Sequence, residues 1–340
     1  MTSQVIDAAT RPPDTPDVLK IAIAGTFAAT LEPAVRARLD IPCEVIVGDE
    51  AGIVGKLADV EALITLGFTR EMAAAAPRLK LVQVPGAGLD RIDRTALGGH
   101  TALANVYGHE IGIAEYVLGA MLALTRQFGR VDAALRQGTW ESQWAVGVAP
   151  PTPWPELAGK TLGILGYGHI GRCVARRARA FDMTVLAIRR TPEGDADAFV
   201  RGPEALDDML ARTDYLVVTL PLTAETRGLL GARELAAMKP TAMLINVARA
   251  QIVDEDALYH ALAERTIAAA ALDVWYRYPN AAGPTRPANR PFHELDNVLM
   301  TPHVSGWTDG MMDARARLIA DNVGRVVRGE PPLNLIPRPG

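Results

Sequence analysis

The chain has 340 residues, 49% of them hydrophobic and 22% charged, with a net charge of −4. That composition excludes a disordered, collagen-like or disulfide-stapled chain, and at roughly 100–200 residues per domain the length predicts two domains. There is no long basic stretch and no window of about 18 uninterrupted apolar residues, so no nucleic-acid partner and no membrane span are expected.

Residues 1–17 are polar and Pro-rich and are expected to form a loose tail without the apolar run of a signal peptide. The two cysteines, Cys43 and Cys173, lack metal-ligand spacing and fit a reducing compartment, so a cytoplasmic protein without a metal site is expected. Short apolar runs then alternate with helical stretches. Strands are predicted at 18–25, 43–47, 62–66, 79–84 and 101–106, with helices at 31–39 and 71–76. A long apolar helix is predicted over 111–128 and is expected to pack between domains. An irregular segment, 137–155, follows with Trp140, Trp144 and Trp154 among Gly and Pro. A second alternation begins at Lys160. Its strands are predicted at 161–165, 184–188, 215–220, 242–247 and 268–274, and its helices at 170–181, 203–211 and 255–264. An amphipathic helix over 309–328 closes the chain. Strand–helix alternation of this kind predicts α/β architecture with parallel sheets covered on both faces.

The strongest local motif is Gly166-Tyr167-Gly168-His169-Ile170-Gly171, fed by the strand TLGIL and leaving into a helix. In that context the first glycine permits the tight turn, the second lets backbone approach a pyrophosphate, and the third lets helix and strand pack closely. An NAD site expects an acid at the end of the next strand, to accept from the ribose hydroxyls. Here that strand ends in Arg189-Arg190-Thr191. Two guanidiniums suit a 2′-phosphate, so NADP(H) is favoured, with NAD(H) still open. The plainer alternative is a solvated strand end.

Further pieces fall in one order: Val84 to Asp90 (VPGAGLD), Ile113 to Glu115, the glycine loop, Leu220 to Thr223, Ile245 to Arg249, Ala271 to Val274 and Thr301 to Gly306 (TPHVSG). From about Leu19 onward the chain resembles the D-2-hydroxyacid dehydrogenase family, which includes glyoxylate/hydroxypyruvate reductases and phosphoglycerate dehydrogenase. The resemblance implies two doubly wound parallel-sheet domains. A Rossmann-type dinucleotide domain, 108–304, would be inserted in a flavodoxin-like substrate domain, 1–107 and 305–340. It also implies a cleft between them and a homodimer.

Reducing a 2-oxo acid requires a held carboxylate, a polarised carbonyl and a proton donor. By resemblance, Arg249 binds carboxylate and carbonyl oxygen, the Gly86-Ala87-Gly88 loop binds the carboxylate, and His303 gives or takes the proton. Asp273 matches the residue that holds the nicotinamide carboxamide, with a strand-end cap as the alternative. Leu220, Pro221, Thr226 and Val247 are placed on the cofactor side, and Tyr107, His109 and Trp307 at the substrate. The 107–110 loop could equally be a domain connector, and Trp307 interface core. Cys173, just after the glycine loop, reads as a packing residue.

The family usually carries a Glu five residues after the Asp, and this chain has Tyr278 there. That Glu favours the protonated histidine. Three readings remain open: Tyr278 orients the imidazole by a neutral hydrogen bond, another carboxylate such as Glu110 reaches it from the other domain, or the chemistry needs no strong acid. The neutral Tyr278–His303 pair is favoured, with activity expected to peak at lower pH than in relatives with Glu. A reductase of a small 2-oxo acid of the glyoxylate or hydroxypyruvate type is expected. A formate- or phosphite-dehydrogenase-like oxidase and a non-catalytic dinucleotide-sensing scaffold are the alternatives.

Overall fold

A computed structural model describes residues 18–192, 194–279 and 283–338. The expected loose tail, residues 1–17, lies outside them. The chain divides into two compact units, Met1–Tyr107 with Met312–Gly340, and Gly108–Met311.

The first unit is built on five parallel strands, β1 (Leu19–Ala24), β2 (Cys43–Gly48), β3 (Ala62–Thr65), β4 (Leu81–Gln83) and β5 (Ala102–Ala104), in the order β2-β1-β3-β4-β5. This is the flavodoxin-like doubly wound order. Alternate side chains of β1 serve different cores. Ile21 and Ile23 pack with Ile319 and Val323 of the C-terminal helix Asp309–Val327, whereas Ala22 and Ala24 face Leu63, Val82 and Phe68. A strand covered on both faces is apolar along its buried run, which is why Ile21–Ala24 shows no polar alternation, with Lys20 at the partly exposed start. The buried amide of Asn322 joins the C-terminal helix to the sheet. It donates to Gln83 Oε1 at 2.7 Å and to the Leu333 carbonyl, and accepts from Leu333 N–H.

The second unit carries seven parallel strands, β6 (Thr161–Leu165), β7 (Thr184–Ile188), β8 (Phe199–Arg201), β9 (Tyr215–Val218), β10 (Met243–Asn246), β11 (Ala269–Leu272) and β12 (Val298–Met300). Their order, β12-β11-β10-β9-β6-β7-β8, is the Rossmann order extended by one strand, reversing at β6. Both sheets are therefore the doubly wound parallel type that the alternation predicts.

The long helix, Glu110–Arg126, stops at Gln127 in a left-handed conformation (φ 50°), and a separate helix, Phe128–Arg136, follows. The first helix places Ile113, Val117 and Met121 in the second unit's own core, with Leu162, Ile164 and Val174. Burying each such side chain stabilises the fold by about 1.5–3 kcal/mol. Strands β8 and β12 are absent from the sequence-based prediction. Each is three residues long, too short for a period to show, and each is held by parallel pairing to a neighbour, β7 or β11. Among the described residues no helix is long and apolar enough to cross a membrane.

Candidate active site

The glycine loop sits where the strand order reverses, between β6 and helix His169–Arg179. Gly166 has φ +108°, and a Cβ there would lie 2.7 Å from the Leu220 backbone nitrogen. A Cβ on Gly171 would lie 2.7 Å from the Gly166 carbonyl oxygen. Both positions exclude side chains because backbone crowds them. At Gly168 a Cβ would meet nothing within 4 Å, and no side chain caps the helix that begins there. This is an open cradle of N–H groups at a helix N-terminus, the form that a pyrophosphate requires, so these residues fit a bound dinucleotide. His169 is exposed, and Ile170 packs partly against the core.

Thr219, at the end of β9, steadies the loop. Its hydroxyl donates to the Gly166 carbonyl at 2.5 Å. Sequence reasoning passed over Thr219 because a Thr at a strand end is not distinctive. Leu220 is half-buried and Pro221 exposed. The Thr226 hydroxyl donates to the Pro221 carbonyl at 2.7 Å and accepts from Thr223 N–H, which braces the same turn. At the end of β7, Arg189 N–H donates to the Arg201 carbonyl of β8, and Arg190 and Thr191 are exposed. Arg190 is close enough to Glu225 to help hold that carboxyl below its usual range, after the larger effect of the Thr223 hydroxyl. Cys173 is partly buried against the core.

Arg249, Asp273 and His303 follow three consecutive sheet neighbours, β10, β11 and β12. Two strand spacings, roughly 10 Å, separate the first and third, a gap that an arginine side chain and a small acid can bridge. Asn246, buried at the end of β10, shapes the turn before Arg249. Its amide donates to the Arg249 carbonyl and accepts from Ala248 N–H, both at 3.1 Å. The Arg249 guanidinium donates to the Ala248 carbonyl at 2.8 Å. Val247 is buried in the core beside Ile245.

Asp273 is fully buried, and its carboxylate accepts from the Thr301 hydroxyl (2.6 Å) and from Val304 and Ser305 N–H (2.8 Å each). It therefore brackets His303, which has φ +59°. The Tyr116 hydroxyl hydrogen-bonds Thr301 at 2.7 Å, and burial pushes that phenol up to about 12. Trp275 ties the same loop by donating its indole N–H to the Thr301 carbonyl at 2.8 Å.

The Tyr278 hydroxyl lies 2.7 Å from His303 Nδ1 and accepts from Trp275 N–H at 3.3 Å. Of the three readings of Tyr278, the first, a direct hydrogen bond, has its geometry here. Glu110 is not supplied by the other unit. It belongs to the same unit as His303, and its carboxylate accepts from Gly108 N–H at 2.7 Å. His109 is 8% exposed at the start of helix Glu110–Arg126, and its Cβ borders Gly306. Trp307 is exposed.

In the first unit, the loop Gly86-Ala87-Gly88 follows β4. The Gly86 carbonyl accepts from Val106 N–H at 3.1 Å, and the Ala87 carbonyl accepts from the Asn105 amide at 3.1 Å. Tyr107 is half-buried at the edge of this unit.

Residues 118–305 match the family described as D-isomer specific 2-hydroxyacid dehydrogenase, NAD binding domain. The chain is 36% identical over 296 residues to a glyoxylate reductase of Pyrococcus furiosus, covering 84% of each chain. The chain belongs to the D-isomer specific 2-hydroxyacid dehydrogenases. This dehydrogenase is also 34% identical to a D-3-phosphoglycerate dehydrogenase of Methanocaldococcus jannaschii, of which it spans only 53%. Among solved structures, the NADPH-dependent glyoxylate/hydroxypyruvate reductase of Sinorhizobium meliloti, with NADP and malonate, matches with a TM-score of 0.79. That match has 28% identity and covers 94% of the dehydrogenase and 97% of the reductase. The comparisons and the two parallel sheets together make the chain an NAD(P)-dependent, glyoxylate reductase-like enzyme.

Proposed function

We propose that the dehydrogenase reduces a small 2-oxo acid of the glyoxylate or hydroxypyruvate type to a D-2-hydroxy acid, and that it prefers NADP(H) to NAD(H). The observation that carries this reading is the Tyr278–His303 hydrogen bond. A proton-handling pair persists although the family Glu is absent. Bound at the glycine cradle, the nicotinamide dinucleotide supplies the hydride.

The chain's own residues supply the rest. Backbone N–H groups of Gly86, Ala87 and Gly88 and the Arg249 guanidinium bind the substrate carboxylate. Arg249 also draws electron density from the carbonyl oxygen, and His303 delivers the proton to it. Tyr107, His109 and Trp307 line the substrate side, and Leu220, Pro221, Thr226 and Val247 the cofactor side. Asp273, fully buried and bonded to Thr301, Val304 and Ser305, serves the cofactor side by shaping the loop that carries His303.

The cofactor preference rests on Arg189 and Arg190 standing where an NAD site would carry an acid. The Sinorhizobium meliloti reductase, NADPH-dependent by its description, is of similar fold. A homodimer is proposed from the family resemblance and from exposed apolar side chains in one segment. Phe128, Leu135, Trp140, Trp144, Val146 and Val148 are all exposed within 21 consecutive residues. Several exposed large apolar side chains in one segment favour a covering partner. A cytoplasmic location is proposed from Cys43 and Cys173, free thiols that fit a reducing compartment.

The test follows nicotinamide absorbance with NADPH and NADH against glyoxylate, hydroxypyruvate, pyruvate and phenylpyruvate. Turnover of the two smallest acids, faster with NADPH, is the expected result. Oxidation of formate or phosphite without turnover of any 2-oxo acid would replace this reading with the oxidase one. Tight NADPH binding with no turnover at all would replace it with the scaffold one.

A further inference from the structure

Two carbonyls of the Gly86-Ala87-Gly88 loop are taken up by the stretch that follows β5. The Gly86 carbonyl accepts from Val106 N–H at 3.1 Å, and the Ala87 carbonyl accepts from the Asn105 side-chain amide at 3.1 Å. A trans peptide is planar, so its N–H points opposite to its C=O. No peptide bond among the described residues is cis. The Ala87 and Gly88 N–H groups are therefore both turned away from Asn105 and Val106. Neither has a hydrogen-bond partner among the described residues, and the loop is only partly buried. Successive N–H groups aimed one way suit an anion such as a carboxylate.

Asn105 is almost fully buried, and its Oδ1 bonds no other group among the described residues. Turning the amide over would bring that oxygen against the Ala87 carbonyl oxygen, so the NH2 group must face the loop. A buried amide with an unpaired oxygen is a poor packing residue. Desolvating that oxygen costs stability that an apolar side chain would keep. What the NH2 group does to the loop is the better account of this residue.

Asn105 is itself held in place. Its N–H donates to the Asn334 carbonyl, and its carbonyl accepts from the Asn334 side-chain amide, both at 3.4 Å. The chain is anchored on either side of Asn334. Leu333 exchanges two hydrogen bonds with the Asn322 amide, and Ile336 N–H donates to the Leu103 carbonyl at 2.8 Å. Asn322 donates in turn to Gln83, which donates to the Val84 and Ala104 carbonyls. One network of amides thus joins the ends of β4 and β5 to the C-terminal segment.

We propose, resting on the reductase reading above, that Asn105 is a positioning residue for the substrate carboxylate. By holding the Ala87 carbonyl, it keeps the Gly88 N–H turned outward to the acid. A neutral donor is required there. An Asp would repel the carbonyl and add a second negative charge near the bound carboxylate. Hydride transfer leaves the carboxylate unchanged, so this hydrogen bond serves substrate and transition state alike. Its loss shows in KM rather than in kcat.

The experiment compares the full-length enzyme with Asn105→Ala and Asn105→Asp, using NADPH and glyoxylate. In Asn105→Ala, KM for glyoxylate rises by about 10–100-fold, the loss of one charge-assisted hydrogen bond. Meanwhile kcat stays within about twofold, Kd for NADPH is unchanged and Tm moves by less than about 3 °C. Asn105→Asp, equal in size, raises KM at least as far. A folded Asn105→Ala with wild-type KM, or with a loss confined to kcat, would overturn the proposal.

If neither variant folds, the wild type decides. Oxalate, a carboxylate that takes up no hydride, is titrated into the isotope-labelled enzyme with NADPH. The Ala87 and Gly88 amide signals shift, and the Asn105 side-chain protons exchange slowly with solvent. An unmoved Gly88 signal, or Asn105 protons that exchange as fast as those of an exposed amide, would sink the assignment. If no 2-oxo acid turns over while oxalate still moves the Gly88 signal, the reductase reading fails and the role of Asn105 stands.

Discussion

Asp273 accepts the backbone N–H of Ser305 at 2.8 Å, so one buried carboxylate at the end of β11 sets the path of the loop that carries His303. Replacing it by Asn keeps the volume but turns an N–H2 group toward donors. Charge-assisted bonds are worth about 1.5–3 kcal/mol each, so Asp273→Asn is expected to lose about 3 kcal/mol and to drop Tm by about 6–12 °C. Calorimetry with kcat measured alongside checks this. Unchanged Tm and kcat would show that the loop holds its shape without the charge.

Arg249→Lys keeps the charge and removes the planar fork. If the guanidinium binds both carboxylate and carbonyl oxygen, kcat/KM for a 2-oxo acid falls by about 10²–10³ while the thermal transition stays put. A loss below about threefold would place the side chain outside the reaction.

The three glycines of the loop are expected to respond differently to Ala. Gly166→Ala and Gly171→Ala drive a Cβ to 2.7 Å from backbone atoms and should cost stability outright. Gly168→Ala has open space in the protein alone, so it should fold normally and bind dinucleotide weakly. Fluorescence titration with NADPH, paired with thermal melts, separates the two outcomes. A Gly168→Ala protein with wild-type affinity would mean that phosphate does not approach there.

Arg189→Ala with Arg190→Ala removes the proposed 2′-phosphate partners. Kd for NADPH should rise by about 10–100-fold, the equivalent of one strong charged hydrogen bond, with Kd for NADH nearly unchanged. Equal weakening of both cofactors would assign the arginines to the shared pyrophosphate or to the fold.

Tyr116 gives a pH dependence of stability. Its folded value, about 12, lies above the ordinary phenol value because burial disfavours the phenolate. The folded state therefore holds this proton more tightly than the unfolded state. The contribution is complete below pH of about 10 and is lost as pH rises toward about 12. Urea unfolding across that window should show a shallower loss for Tyr116→Phe than for the wild type. Parallel curves would remove Tyr116 as a contributor.

Much of this was legible in the residues. LKIAIA and TLGIL announce strands covered on both faces, because a parallel strand buried twice is a near-continuous apolar run, with Lys20 and Thr161 confined to the partly exposed starts. The six-residue glycine loop between a strand and a helix announces a dinucleotide site, because backbone crowding at Gly166 and Gly171 leaves no chemical alternative to glycine. The ladder β8–β7 was not legible. Phe199–Arg201 is three residues long and acquires its identity from its partner. The supporting residues Thr219, Asn246, Thr301 and Trp275 were equally silent, since a hydroxyl, amide or indole declares its role only when its acceptor is in place.

The sequence by itself determined the two-sheet α/β architecture and the enzyme family, and it exposed the absence of the carboxylate that usually partners the histidine. These are properties of pattern and residue type, which a one-dimensional string carries completely. Only the tertiary structure decided what replaces that carboxylate. Tyr278 and His303 are 25 residues apart in the chain, and they meet because β11 and β12 pair side by side. The same phenol oxygen accepts from the backbone N–H of Trp275, a partner that no side-chain pattern encodes.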